Sequence, residues 1–315
     1  MNLRRIAKGM ATYIPGFYSA YGRLWKATGG SISPRYCYSV WLRHLAMLRA
    51  GQQSTRPAVV AELGPGDSLG SGLAALLTGA DQYVGLDVIR YADAEKNLAV
   101  LDGLLELLRT RADIPGPDEF PAVLPLLDDY GFPHDLLPDD LLAWTLAPDR
   151  VEQIRRSIRE PDAPDSLVHY AVPWHAATAV RPGTVDLVFS QAVLQSVEDL
   201  APTYQALCGW LKPGGLMSHQ LSLECLGTAD FWNGHWRHSD LTWRLIKGRR
   251  PFLINREPWS THARLLREAG FDIVLEKKVR MPSDLRRQDL APRFRDMPEE
   301  DLTTSSVYVL ARRDR

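Results

Sequence analysis

Apolar and polar positions alternate along this chain in two different rhythms. Near the N-terminus, Leu3, Ile6, Met10, Tyr13, Ile14, Phe17, Tyr21, Leu24 and Trp25 recur at helical spacing, and Tyr36, Val40, Leu42, Leu45 and Leu48 predict a second helix. From Val59 the rhythm changes to short apolar runs punctuated by glycine. "AVVAEL", "SLGSGLAALLTG" and "QYVGLDV" read as strand, helix and strand, a βαβ unit. Helical stretches follow ("EKNLAVLDGLLELLRTR", "PDRVEQIRRSIRE"), broken by "DIPGPDEFP" and "DYGFPHDLLPDD", whose prolines and glycines forbid long regular elements. The α/β alternation returns with the strands "SLVHYAVPW" and "VDLVFSQAV", the helix "LAPTYQALCGWL", the turn "KPGG" and the strand "LMSHQLS". Residues 222–259 read as irregular. A helix is expected from Ser260, whose hydroxyl can cap it, to Ala269, with Gly270 at the stop, and "FDIVLEKKV" and "SSVYVLARR" are late strands.

The pattern divides the chain into an N-terminal helical cap (1–56) and a larger α/β domain (57–315). That domain carries a helical insertion at about 92–166 and a segment rich in aromatics and basic groups at about 222–259, with the composition of a lid. The 315 residues suffice for one large domain with insertions. A net charge of -1 predicts no nucleic-acid partner.

The charge is uneven, however. The first acid is Glu62, preceded by nine basic residues from Arg4 to Arg56, whereas the following hundred residues are rich in acids such as Asp128, Asp129, Asp139 and Asp140, so the two parts should attract. A basic amphipathic N-terminus can also make peripheral contact with a membrane through residues 1–30, although docking on its own domain is the commoner fate. Cys37, Cys208 and Cys225 are far apart and lack metal-ligand spacing, which predicts no metal site and a reducing, cytoplasmic setting. No apolar run reaches the roughly 20 residues needed to span a bilayer, and the N-terminal stretch lacks the unbroken apolar core of a secretory signal.

The chemistry concentrates at "ELGPGDS". A glycine turn between a buried strand and a helix lets a ligand approach where amide N–H groups and the positive helix end point outward. Asp87, at the tip of the next strand, stands where a ribose diol would fall. Glu62, two residues before Gly64, suits a ligand bearing an ammonium or a positive sulfur and is poorly placed beside a pyrophosphate. The dinucleotide template also fails at Leu69, where a third glycine should stand.

This segment resembles the first motif of class I S-adenosylmethionine-dependent methyltransferases, with Ser68 in place of its third small residue. "DLVFSQAVLQSVEDL" and "WLKPGGLMSHQLS" are similar to the family's fourth-strand motif and its turn into the fifth strand. The resemblance covers residues 57–90 and 166–221 well, the last two strands loosely, and the arm and insertion hardly at all. It implies a Rossmann-like, doubly wound α/β sheet of seven strands, mainly parallel, with the last strand antiparallel and inserted beside the fifth. It implies S-adenosylmethionine as cofactor, with Gly64, Pro65 and Gly66 against its methionine part, Glu62 balancing charge, Asp87 and the adjoining Val88 at the ribose, and Ser190 and Gln191 beneath the methionine end. Trp174 offers either a stacking face for adenine or a core side chain.

Methyl transfer is an in-line displacement in which the protein positions the partners, excludes water and sometimes supplies a base. His219 and His235 are the candidate bases. Trp232, Trp236, Trp243 and Trp259 with Arg237, Arg249, Arg250 and Arg256 suggest a lid for a small-molecule or glycan acceptor methylated at oxygen, or else simple packing of the insertion. Arg35, Tyr36 and Arg43 could close over the cofactor, with a solvated helix face the alternative for the arginines. A nicotinamide-dependent oxidoreductase and a non-catalytic binding protein of the same fold are the rival readings.

Overall fold

The computed structural model describes residues 3–14, 30–161, 163–174, 178–250 and 252–314. The expected helical positions Phe17, Tyr21, Leu24 and Trp25 lie outside the described residues. One seven-stranded sheet organises the chain: β1 (Val59–Leu63), β2 (Gln82–Leu86), β3 (Val168–Ala171), β4 (Val185–Gln191), β5 (Leu211–Ser222), β6 (Phe271–Arg280) and β7 (Thr304–Arg313). The spatial order is 3-2-1-4-5-7-6. Strands 1 to 5 pair in parallel, and β7 runs antiparallel between β5 and β6, the insertion beside the fifth strand that the resemblance implies. The order reverses between β1 and β4, so a crevice opens beyond the C-terminal tips of these strands.

Helices cover both faces. On one lie α2 (Pro34–Ala50), α3 (Gly70–Leu77), α4 (Ala94–Arg109) and α6 (Pro148–Arg159), whose Trp41, Leu73, Leu101 and Ile154 share a core with Val60, Leu187 and Phe189 of the sheet. On the other lie α7 (Leu200–Trp210) and α9 (Trp259–Glu268), burying Tyr204, Trp210 and Leu266 against Ala61, Val188 and Met217. Short α5 (Asp139–Thr145) starts where "PDD" supplies a proline and two acids for the helix N-terminus. In α3 every residue is small or aliphatic and buried, and Gly72 lies so close to the Tyr83 ring that no larger residue fits.

Helix α2 begins cleanly because Ser33 accepts from the Tyr36 amide and Pro34 takes the first turn. It belongs to the main core, so we propose that the change of pattern at residue 57 marks a boundary in sequence and not between independently folding units. α1 (Leu3–Ala11) instead docks on α8 (Asp240–Lys247) within the segment read as irregular: Gly9 sits against the carbonyls of Leu245 and Ile246. The predicted cap at Ser260 is not observed. α9 starts one residue earlier, after Pro258, and the Ser260 hydroxyl donates to Asp301. Among the described residues, no helix is long and apolar enough to cross a membrane.

The expected attraction between basic arm and acidic insertion takes the form of Arg35–Glu119 and Arg49–Asp135 pairs, both solvent-exposed and worth little individually. Arg43 corrects the reading of a solvated arginine face. It is fully buried and donates to the carbonyls of Pro115, Val123 and Pro125, which ties the insertion to α2.

Candidate cofactor site

Glu62 and Asp87 stand at neighbouring strand tips, because β1 and β2 pair with Glu62 opposite Gly85 and Leu63 opposite Leu86. The turn after β1 is held to β2 by a bond from the Gly64 amide to the Leu86 carbonyl, 2.8 Å. Gly64 and Gly66 take φ values of +64° and +78°, a region that side chains with a Cβ rarely adopt, so glycine is required at both. A Cβ at Gly64 would also meet Val193 Cγ2 at 2.7 Å, which brings the segment after β4 over the turn.

The amides following the turn are not left for a ligand, contrary to the sequence-based expectation. Ser31 Oγ accepts from Asp67 N and Ser68 N, Asn97 Oδ1 accepts from Leu69 N, and Ser68 Oγ accepts from Gly70 N. The N-terminal arm and α4 therefore satisfy the start of α3.

Asp87 is buried, and its carboxylate accepts from Val88 N at 2.7 Å and from Ile89 N at 3.4 Å. Burial raises its pKa, while these amides pull the other way. Val88 and Ile89, directly beyond it, expose apolar side chains at 49% and 41%, enough area for a planar ring to cover. The Trp174 ring is half-buried and meets Trp210 edge-on, with centroids 5.5 Å apart, so it serves the core beneath α7.

Glu62 lies below the turn, where Tyr83 Oη donates to its carboxyl at 2.6 Å. Burial pushes its pKa up to about 8, with Asp87 adding to the rise and the Tyr83 bond opposing it. A carboxyl raised above its unfolded value of 4.5 favours the folded state only while protonated, so its contribution is complete below that value and is lost as the pH climbs through about 8. The Glu62→Gln variant keeps a neutral group at every pH. Wild type is therefore expected to lose on the order of 3 kcal/mol relative to Glu62→Gln between pH 5 and pH 9. Parallel denaturation curves at the two pH values check this.

At the tips of β4 and β5, Ser190 pairs with His219 in register, and Ser190 Oγ lies 2.7 Å from His219 Nδ1. Gln191 Nε2 donates to the Leu124 carbonyl of the insertion, 3.1 Å, and to Gln220 Oε1. Among the described residues, two buried polar atoms here lack partners, His219 Nε2 and Gln191 Oε1.

The histidines expected as bases require correction. His219 and His235 are fully buried, and desolvation pushes both pKa values down to about 3. A ring so reluctant to take a proton is a poor general base at neutral pH. His235 packs on Trp236, centroids 4.6 Å apart, in the lid interior. Four of the lid residues are likewise committed to packing, while Arg237 and Arg249 stay exposed: Trp236 Nε1 donates to Arg256 O and Trp259 Nε1 to Glu276, and buried Arg256 lies over Trp243 and Phe294 and pairs with Asp240. The lid reaches the strand tips through Asn255, whose side chain donates to the Leu194 and Val197 carbonyls.

A family model described as a methyltransferase domain matches residues 131–218, from the middle of the insertion into β5. Over these residues the chain carries a methyltransferase domain, and the sheet around it has the class I S-adenosylmethionine-dependent arrangement. The sheet order, the antiparallel β7 and the glycine turn with its two acids agree with that assignment, and S-adenosylmethionine is the cofactor of such domains.

Solved methyltransferases are similar in outline. An S-adenosylmethionine-dependent methyltransferase from Mesorhizobium loti is 16% identical, with 85% of this chain and 96% of that one covered and a TM-score of 0.43. A SAM-dependent methyltransferase from Methanosarcina mazei is 11% identical, with 85% and 97% covered and a TM-score of 0.43. Phosphoethanolamine N-methyltransferase 2 of Haemonchus contortus, solved with S-adenosyl-L-methionine, is 14% identical over 87% of this chain and 53% of its own, with a TM-score of 0.44. Superpositions this loose carry no weight of their own. No curated protein matches the sequence.

Sequence reasoning missed Ser31, Ile89 and Val193. Ile89 left a signal, a second apolar residue after the strand-tip acid. Ser31 and Val193 left none, because their roles depend on distant segments meeting the turn.

Proposed function

We propose that this methyltransferase moves the methyl group of S-adenosylmethionine to a hydroxyl of a small-molecule or glycan acceptor. The backbone of Gly64, Pro65 and Gly66 would receive the methionine part, Asp87 both ribose hydroxyls, and the exposed faces of Val88 and Ile89 the adenine. Glu62, drawn toward ionisation by a cationic ligand, would balance the charge, and Ser190 and Gln191 would lie beneath the methionine end.

The observation that carries the acceptor reading is the pair of buried, uncharged polar atoms without partners at the tips of β4 and β5, His219 Nε2 and Gln191 Oε1. Unpaired atoms of this kind favour a ligand that supplies hydrogen-bonding groups. In the reaction the acceptor oxygen attacks the methyl carbon as the carbon–sulfur bond breaks, leaving a neutral thioether. A positive sulfur nearby would disfavour a second positive charge on His219. We therefore assign His219 to orienting the hydroxyl by accepting its hydrogen bond, with the proton leaving to solvent. Incubation with a deuterated methyl donor and fractionated acceptor pools, read by mass spectrometry, should place the label on oxygen. Label on nitrogen or carbon would refute the oxygen assignment, and no label on any acceptor would refute turnover.

A further inference from the structure

Among the described residues, none covers the outer face of α1. Gly9, Thr12 and Ile6 turn toward α8 and its flanks, and Arg5 reaches Asp230 and the Gly227 carbonyl. Yet Leu3 and Met10, two turns apart on an adjoining side of the helix, and Ile14, just past its end, are 61%, 45% and 60% exposed. A helix that is apolar on both sides is ordinarily covered on both.

Two more apolar side chains are exposed on the segments against which α1 docks. Leu241 on α8, one turn before the Leu245 carbonyl that meets Gly9, is 69% exposed, and Leu226, next to the glycine that Arg5 contacts, is 52% exposed. Arg4 and Lys8 flank the stripe, both exposed, and no acid occurs before Glu62. Apolar side chains bordered by cations, without acids, match the chemistry of an anionic bilayer surface, where the chains enter the acyl boundary and the cations meet phosphate and carboxylate headgroups.

We propose that α1 lays this face on an anionic lipid surface and holds the protein there peripherally. The helix is already fixed to the body by its Gly9 side, so binding needs no unfolding of the arm. The proposal is independent of the acceptor reading.

Co-sedimentation of the full chain with vesicles tests it, comparing phosphatidylcholine alone with phosphatidylcholine containing about a third phosphatidylserine. Binding should appear with the anionic vesicles and fall as salt rises through the physiological range. Arg4→Ser with Lys8→Ser should weaken it about 25-fold, taking roughly fivefold for each cation. Leu3→Ser with Ile14→Ser should weaken it at least about tenfold, since each loses apolar area from the acyl boundary. All four positions are exposed, so unchanged thermal unfolding should accompany the losses. No sedimentation with anionic vesicles, or binding that both double variants leave intact, would overturn the proposal. So would a dimer in sedimentation velocity that Leu3→Ser with Ile14→Ser dissolves, because a second copy would then cover the face.

Discussion

Replacing Asp87 with alanine should weaken S-adenosylmethionine binding by about 100-fold or more while leaving the protein folded. A hydrogen bond to a charged acceptor is worth about 1.5–3 kcal/mol, and a carboxylate at the tip of β2 can accept from both ribose hydroxyls. The buried setting sharpens the loss, since water replaces the interaction poorly there. Stability should change little. Burial already raises the pKa of this carboxyl, so the ionised group is held at some cost to the fold. Asp87→Asn should bind about tenfold better than Asp87→Ala, because an amide oxygen can still accept from Val88 N and from one hydroxyl. Calorimetric titration with denaturation controls separates the outcomes. Loss of binding in step with loss of stability would mean that Asp87 only caps the turn.

The second large effect is expected at Gly64. Gly64→Ala forces a side chain into the left-handed region at φ +64°, costing about 1–2 kcal/mol, and drives its Cβ against Val193 Cγ2. The combined loss should be about 2–4 kcal/mol, with cofactor binding abolished because the turn is displaced. The two causes can be divided experimentally. Val193→Ala removes the steric contact and leaves the backbone strain, so the double variant should be more stable than the sum of the single losses by about 1 kcal/mol. Strict additivity in urea denaturation would show that Val193 does not press on the turn.

Much of the architecture could be read before any coordinates. The strands from "AVVAEL" to "SSVYVLARR" announce themselves through short apolar runs between glycines and prolines, and the two acids flank a turn that only glycine can make. These are local properties, and local properties survive in a single sequence. Non-local features do not. Ser31 satisfies amides 36 and 37 residues away, and Arg43 reaches carbonyls more than 70 residues distant.

The lid shows a different limit. Tryptophans and arginines mix in binding surfaces and in cores alike, and only burial tells them apart. Trp236, Trp243 and Arg256 prove to be interior. The same holds for His219, whose position at a strand tip is legible whereas its reluctance to take a proton follows from complete desolvation.

The proposed methyl transfer depends on how the crevice at the C-terminal tips of β1, β2 and β4 meets its ligand. A crystal structure with S-adenosylhomocysteine addresses this most directly. The amino-acid tail should lie along Gly64–Gly66, above the Glu62 carboxyl, with both ribose hydroxyls within hydrogen-bond distance of Asp87 and the adenine against Val88 and Ile89. A nucleoside bound elsewhere, or a ribose that Asp87 does not touch, would contradict the account.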